Sequence, residues 1–112
     1  MASIRRITTL AVAASMLFCN WAQSAELEFG LAIKNHRFEP TEIKIPAGQR
    51  VKLIVHNQDS TPEEFESHSL NREKVIPGGA KATIFIGPLK PGRYPFVGEY
   101  NEATAKGAVV AE

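Results

Sequence analysis

The sequence predicts an all-β chain, a small antiparallel β-sandwich, and three observations carry that reading. Apolar and polar residues alternate with period two in short runs. Turn formers punctuate the runs at nearly regular spacing, and no stretch sustains the 3.6-residue period of a helix. With 112 residues and 44% apolar content there is room for one small domain, near the lower limit of what buries its own core.

Residues 1–25 read as a cleaved signal peptide. Arg5 and Arg6 form a basic start, Leu10 to Phe18 an apolar run, and Ala22, Ser24 and Ala25 a small-residue cleavage zone. The apolar run stops at Asn20, short of the roughly 20 residues that span a bilayer, so no membrane-spanning segment is expected in the mature chain. The domain is expected over residues 26–112, in the periplasm. Cys19 is the only cysteine and lies in the leader. The mature chain therefore has no thiol for a disulfide, a nucleophile or a blue-copper centre. Without Arg5 and Arg6, eleven basic residues face twelve acidic ones, a formal charge of −1 that offers no basic face to nucleic acid.

The first strand is expected from Leu27, Phe29 and Leu31, which alternate with Glu28, Gly30 and Ala32, and it ends by Asn35. His36 to Pro40 is read as a bend. Ile43 and Ile45 mark a second strand, closed by the turn Pro46-Ala47-Gly48. Arg50 to His56 is the strongest strand, with Val51, Leu53 and Val55 on one face, and is expected to be central. Asn57 to Pro62 are turn formers. They deliver the chain into Thr61 to Leu70, a crowded acidic stretch, and Asn57 to Arg72 as a whole is read as a long loop. Pro77-Gly78-Gly79 turns the chain into a strand carrying Ala82, Ile84 and Ile86. Pro91-Gly92 turns it again into Arg93 to Val97, where Tyr94 and Phe96 are expected in the core. A second long loop, Glu99 to Lys106, precedes a last short strand from Gly107 through Val110. Binding residues commonly sit on such loops at the end of a rigid sandwich.

Several phrases together resemble a cupredoxin domain across nearly the whole mature chain. They are Phe38-Glu39-Pro40 leading to Ile43, Pro46-Ala47-Gly48, Val51 to Asn57 followed by Asp59, Leu89-Lys90-Pro91-Gly92-Arg93-Tyr94, and Lys106-Gly107. The resemblance implies a Greek-key sandwich with a metal site at one end. Blue-copper members build that site from a histidine after the Asn-x-Asp turn and from a Cys, His, Met loop before the last strand. Val97 to Ala105 contains none of the three, so a type 1 copper centre, defined by its soft thiolate, is not expected.

The chain is more similar to cupredoxin-like domains of periplasmic bacterial iron-uptake systems, including the amino-terminal domain of Efe-type proteins and small relatives beside ferrous-iron permeases. These share Phe65-Glu66-Ser67-His68, Arg72-Glu73 before a Pro-Gly turn, and Pro-Gly-x-Tyr leading to Gly98. The resemblance implies a metal-site carboxylate at Glu66, with His68 where a second carboxylate would sit. Cysteines of some relatives correspond to Phe38 and Gly98. The partners it implies are a periplasmic iron-binding protein and an inner-membrane iron permease.

From the residues themselves, Glu64, Glu66 and His68 lie two apart and project from one face if the segment is extended. Two carboxylates and an imidazole suit iron, Cu(II), manganese or zinc rather than Cu(I). Glu99, or Glu102 with Tyr100, completes the set from the neighbouring loop, and His36 is a further candidate beside Phe38. Against this, a run such as Glu63-Glu64 is ordinarily a solvated face. Arg72, Glu73 and Lys74 are read as a structural charge cluster, and His56 as a surface or hydrogen-bonded histidine.

The leading expectation is a metal-binding accessory of iron uptake, holding iron or copper at a non-type 1 site, with oxidation of Fe(II) left open. The alternatives are a non-blue copper electron-transfer protein and a metal-free sandwich that serves as an interaction module.

Overall fold

The computed structural model describes residues 26–112 and, before them, Ser3 alone; the leader expected over residues 1–25 otherwise lies outside the described residues. Among the described residues nine strands form two packed sheets. They are β1 (Leu27–Lys34), β2 (Arg37–Glu39), β3 (Glu42–Ile45), β4 (Val51–Asn57), β5 (Glu63–Ser67), β6 (Arg72–Ile76), β7 (Lys81–Ile86), β8 (Gly92–Gly98) and β9 (Lys106–Ala111). A 3-10 turn, Glu99–Asn101, follows β8. One sheet has the order β2-β1-β4-β7 and the other β3-β9-β8-β5-β6. Among the described residues no helix is long and apolar enough to cross a membrane.

The expected sandwich is therefore present, with β4 inside its sheet. Most pairings are antiparallel, but β1 with β4 and β3 with β9 run parallel. Residue alternation sets which face is buried and is blind to strand direction, so the sequence could not separate the two. The expected bend at residues 36–40 contains β2. Asn35 and His36 both take positive φ, 53° and 56°, the backbone of a tight hairpin turn between β1 and β2. The Asp59 carboxylate holds that turn by accepting the N–H groups of Asn35 at 2.8 Å and His36 at 2.9 Å. The turn is thus specified from a distant loop, a signal that no local pattern carries.

The larger departure is the acidic stretch. The loop expected over Asn57 to Arg72 contains β5, which lies between β8 and β6 in the five-stranded sheet. Its alternation is easy to miss because the inward positions are Glu63, Phe65 and Ser67, and only Phe65 is apolar. Phe65 is fully buried and meets Phe96 at 4.9 Å between ring centroids, while Phe38 from the other sheet meets both rings edge-on at 6.2 and 4.9 Å. Such aromatic pairs contribute about 0.5–1.5 kcal/mol each beyond the area they bury. The three rings fasten β5 to the opposite sheet through Phe38, and Phe96 lies in the core as expected.

Asn57 fixes how the chain reaches β5. It is fully buried, its Nδ2 donates to the carbonyls of Thr61 at 2.8 Å and Ile76 at 3.0 Å, and its Oδ1 accepts the Asp59 N–H at 3.1 Å. One side chain thereby ties the end of β4, the start of the acidic segment and the end of β6.

Candidate metal centre

Because Phe65 must point inward, Glu64 and Glu66 project from the outer face of the sheet. Strand register then chooses their neighbours. Glu66 faces Glu73 across the β5–β6 hairpin, and Glu66 faces Val97 of β8, which brings the next outward residue, Glu99, alongside Glu64. Glu64, Glu73 and Glu99 each offer a carboxylate oxygen within 4.8 Å of the other two. Glu66 adjoins them through its contact with Glu99, and His68 Nε2 lies 3.6 Å from Glu66 Oε1.

The electrostatics follow from this crowding. A hydrogen bond with the Glu73 carboxyl, then one with Glu99, pushes the Glu64 pKa from its ordinary 4.5 up to about 8, with burial adding in the same direction. Glu64 is only 8% exposed although it stands on the outer face. No N–H or cationic donor reaches its side chain among the described residues; its polar neighbours are other carboxyls. Burial first, and then the charge of Glu99, also raise Glu66, while the neighbouring His68 opposes the shift. The close approach of Glu64, Glu73 and Glu99, with Glu66 beside Glu99, favours a proton on Glu64. Oxygen donors of this kind suit hard cations.

The structure thus brings together Glu64, Glu66 and Glu99 of the expected set, with His68 at the edge. The His68 side chain is 96% exposed and stands on the rim of a cleft of about 190 Å3 that runs towards Asn71 and Arg72. His36 and Glu102 are not part of the cluster. His36 lies in the β1–β2 turn with Nδ1 3.8 Å from Asp59, its carbonyl accepting the Thr104 hydroxyl. Glu102 is exposed at the end of the 3-10 turn. Glu73, expected in a structural charge cluster with Arg72 and Lys74, stands among these acids. Its signal was symmetry about the turn: if Ser67 and Arg72 close a hairpin, Glu66 and Glu73 must face each other.

Glu63 behaves unlike a solvated acid. It points inward, is 1% exposed, and accepts three N–H donors: the Glu64 and Tyr100 amides on Oε1, each at 2.9 Å, and Asn101 Nδ2 on Oε2 at 2.7 Å. Gly98 makes room for it. A Cβ on Gly98 would lie 2.7 Å from Glu63 Cδ and 2.7 Å from the Ala105 Cβ. The Glu63 carboxyl occupies the space that a side chain at residue 98 would need. The donor set at that point does not fit a thiolate copper centre.

Comparison with known proteins adds to this picture. The sequence family described as Cupredoxin-like domain matches residues 7–111. An uncharacterized protein of Rickettsia prowazekii (strain Madrid E) is 42% identical over 84 residues, spanning 75% of this chain and 67% of the relative. Among solved structures, the metal-binding domain of the Cu(I)-exporting P-type ATPase CopA of Streptococcus pneumoniae D39 superposes with a TM-score of 0.68 at 15% identity, covering 76% of this chain and 84% of that one. Auracyanin A, a blue copper protein from Chloroflexus aurantiacus, superposes with a TM-score of 0.65 at 14% identity, covering 79% of this chain and all of that one. At these identities the two structures share the fold.

Proposed function

The chain belongs to the cupredoxin-like domain family, a fold shared with copper-binding proteins, and from that premise we propose that it is a periplasmic metal-carrying accessory of bacterial iron uptake. Its cargo is a hard cation, iron foremost, held on the Glu64, Glu66, Glu73 and Glu99 carboxylates. The observation that carries this reading is Glu64, a residue only 8% exposed whose carboxyl has the carboxyls of Glu73 and Glu99 as its polar neighbours. A proton relieves that repulsion in the metal-free protein, and a cation would relieve it while bonding to several oxygens at once.

The resemblance of Phe65-Glu66-Ser67-His68 and Arg72-Glu73 to iron-uptake domains supports iron as the cargo. In this reading the carrier exchanges the cation with a periplasmic iron-binding protein or an inner-membrane iron permease. The residues act by holding and releasing: Glu64 gives up its proton as the cation arrives and recovers it on release. A second reading, Cu(II) held at Glu66 and His68, is favoured by the 3.6 Å approach of the imidazole to the carboxylate.

The test is calorimetric titration of the purified, metal-stripped protein with Fe(II) without oxygen, and with Mn(II), Cu(II) and Zn(II), beside Glu64→Gln and His68→Ala variants. Fe(II) and Mn(II) binding that Glu64→Gln weakens by about tenfold or more supports the proposal. Tight Cu(II) binding that depends on His68 alone supports the second reading, and no binding tighter than millimolar leaves the interaction module. Following Fe(II) in air in the same preparation separates carriage from oxidation.

A further inference from the structure

We propose that Glu63 is the positioning residue of the carboxylate centre, holding Glu64 and Glu99 face to face from beneath the sheet; the inference rests on the cation-carrying reading of those two residues. The β5–β8 ladder is short, consisting of Phe65 with Gly98 and Glu66 with Val97. Glu64 and Glu99 lie one residue beyond it, on the side where no further strand pairing joins β5 to β8, and their carboxyls repel each other there. The Glu63 carboxyl spans the same gap from the inner side. Oε1 accepts the Glu64 amide on one segment and the Tyr100 amide on the other, and Oε2 accepts Asn101 Nδ2.

Three features make this a device for alignment rather than incidental packing. The carboxyl is 1% exposed, so water does not compete for its oxygens. Two of its three donors are the backbone amides of Glu64 and Tyr100, the latter immediately following Glu99, so the bonds fix backbone rather than side-chain tips. Glycine at 98 leaves the space the carboxyl enters, and a Cβ there would meet Glu63 Oε2 at 2.8 Å. Residues that orient a metal's direct ligands typically change affinity by about 10–100-fold when altered.

The experiment uses Mn(II) as the probe, with affinity read by calorimetry and electron paramagnetic resonance, and folding by thermal melting. Glu63→Met keeps the length of the side chain but removes both accepting oxygens, stranding the Glu64 and Tyr100 amides. Glu63→Gln is the conservative variant: its amide oxygen still accepts the two backbone N–H groups, and Asn101 turns its side-chain amide over so that Oδ1 accepts from the new NH2 group. Glu63→Met is expected to bind Mn(II) about 10–100-fold more weakly while still melting cooperatively, and Glu63→Gln to keep most of the parent's affinity. A folded Glu63→Met protein that binds as tightly as the parent overturns the proposal, and so does a folded Glu63→Gln protein as weak as Glu63→Met. If the parent itself binds no Mn(II) or Fe(II), the carrier reading fails, and positioning is read in the metal-free protein from hydrogen exchange of the Tyr100 amide. Fast exchange in Glu63→Met and slow exchange in Glu63→Gln sustain it; equal exchange in all three proteins overturns it.

Discussion

The carboxyl oxygens of Glu64 and Glu99 lie within 4.8 Å of each other, although one residue belongs to β5 and the other to the turn that follows β8. Glu73, from β6, lies within the same 4.8 Å of both. Like charges brought together this way oppose folding unless a proton or cation sits among them, so the cluster couples fold stability to pH and, under the proposed function, to the bound cation.

Folding raises the Glu64 pKa from its ordinary 4.5 to about 8, so the folded state holds that proton more tightly than the unfolded chain does. The stabilisation is fully present below about pH 4.5 and is lost as pH rises towards about 8. Glu66, also raised, acts in the same sense. The melting temperature of the metal-free protein is therefore expected to fall across this window, and Glu64→Gln is expected to flatten the fall. Scanning calorimetry at a series of pH values checks this; a melting temperature that climbs over the same range contradicts it.

Loss of a direct oxygen donor should weaken cation binding more than loss of the exposed imidazole. Glu64→Gln and Glu99→Gln are each expected to lower Mn(II) or Fe(II) affinity by about tenfold or more, a change of at least about 1.4 kcal/mol. His68→Ala alone is expected to have a smaller effect, since its side chain is 96% exposed. Glu66→Gln combined with His68→Ala is expected to weaken binding by about tenfold or more while leaving the fold intact, as circular dichroism would show. Equal affinity in that pair would place the site elsewhere.

Gly98→Ala tests the packing beneath the centre. The added Cβ would lie 2.7 Å from both Glu63 Cδ and the Ala105 Cβ. Overpacking of this kind costs about 1–3 kcal/mol. Urea denaturation should show a lower midpoint with an unchanged slope.

Asn57→Ala removes both donors to the Thr61 and Ile76 carbonyls and the acceptor of the Asp59 amide. The site is fully buried, so the stranded backbone groups should cost about 1–3 kcal/mol. Chemical denaturation measures the loss. Asn57→Asp keeps the acceptor but not the donors and is expected to recover little of it.

Much of the acidic cluster is legible in an extended β5, because the two-residue spacing of Glu64, Glu66 and His68 puts them on one face. Glu99 was reachable as the polar residue opening the last long loop. Glu73 was hidden by reading Asn57 to Arg72 as one loop, since a hairpin register has meaning only between two strands. His36 was drawn towards the site by its nearness to Phe38 in the chain. The Asp59 carboxylate instead holds its backbone amide in a separate turn.

The sequence by itself determined the all-β sandwich, its central strand, the absence of a thiol from residues 26–112, and the presence of clustered acids. Those properties rest on local alternation, turn residues and composition, which any reading of the chain can see. Only the tertiary structure decided which acids meet. Register between β5, β6 and β8 put Glu64, Glu73 and Glu99 together, and the inward turn of Glu63 made one apparently solvated acid a buried clasp. The physical reason is that pairing across strands joins residues far apart in the chain, whereas alternation along a strand specifies a face and not the neighbour that shares it.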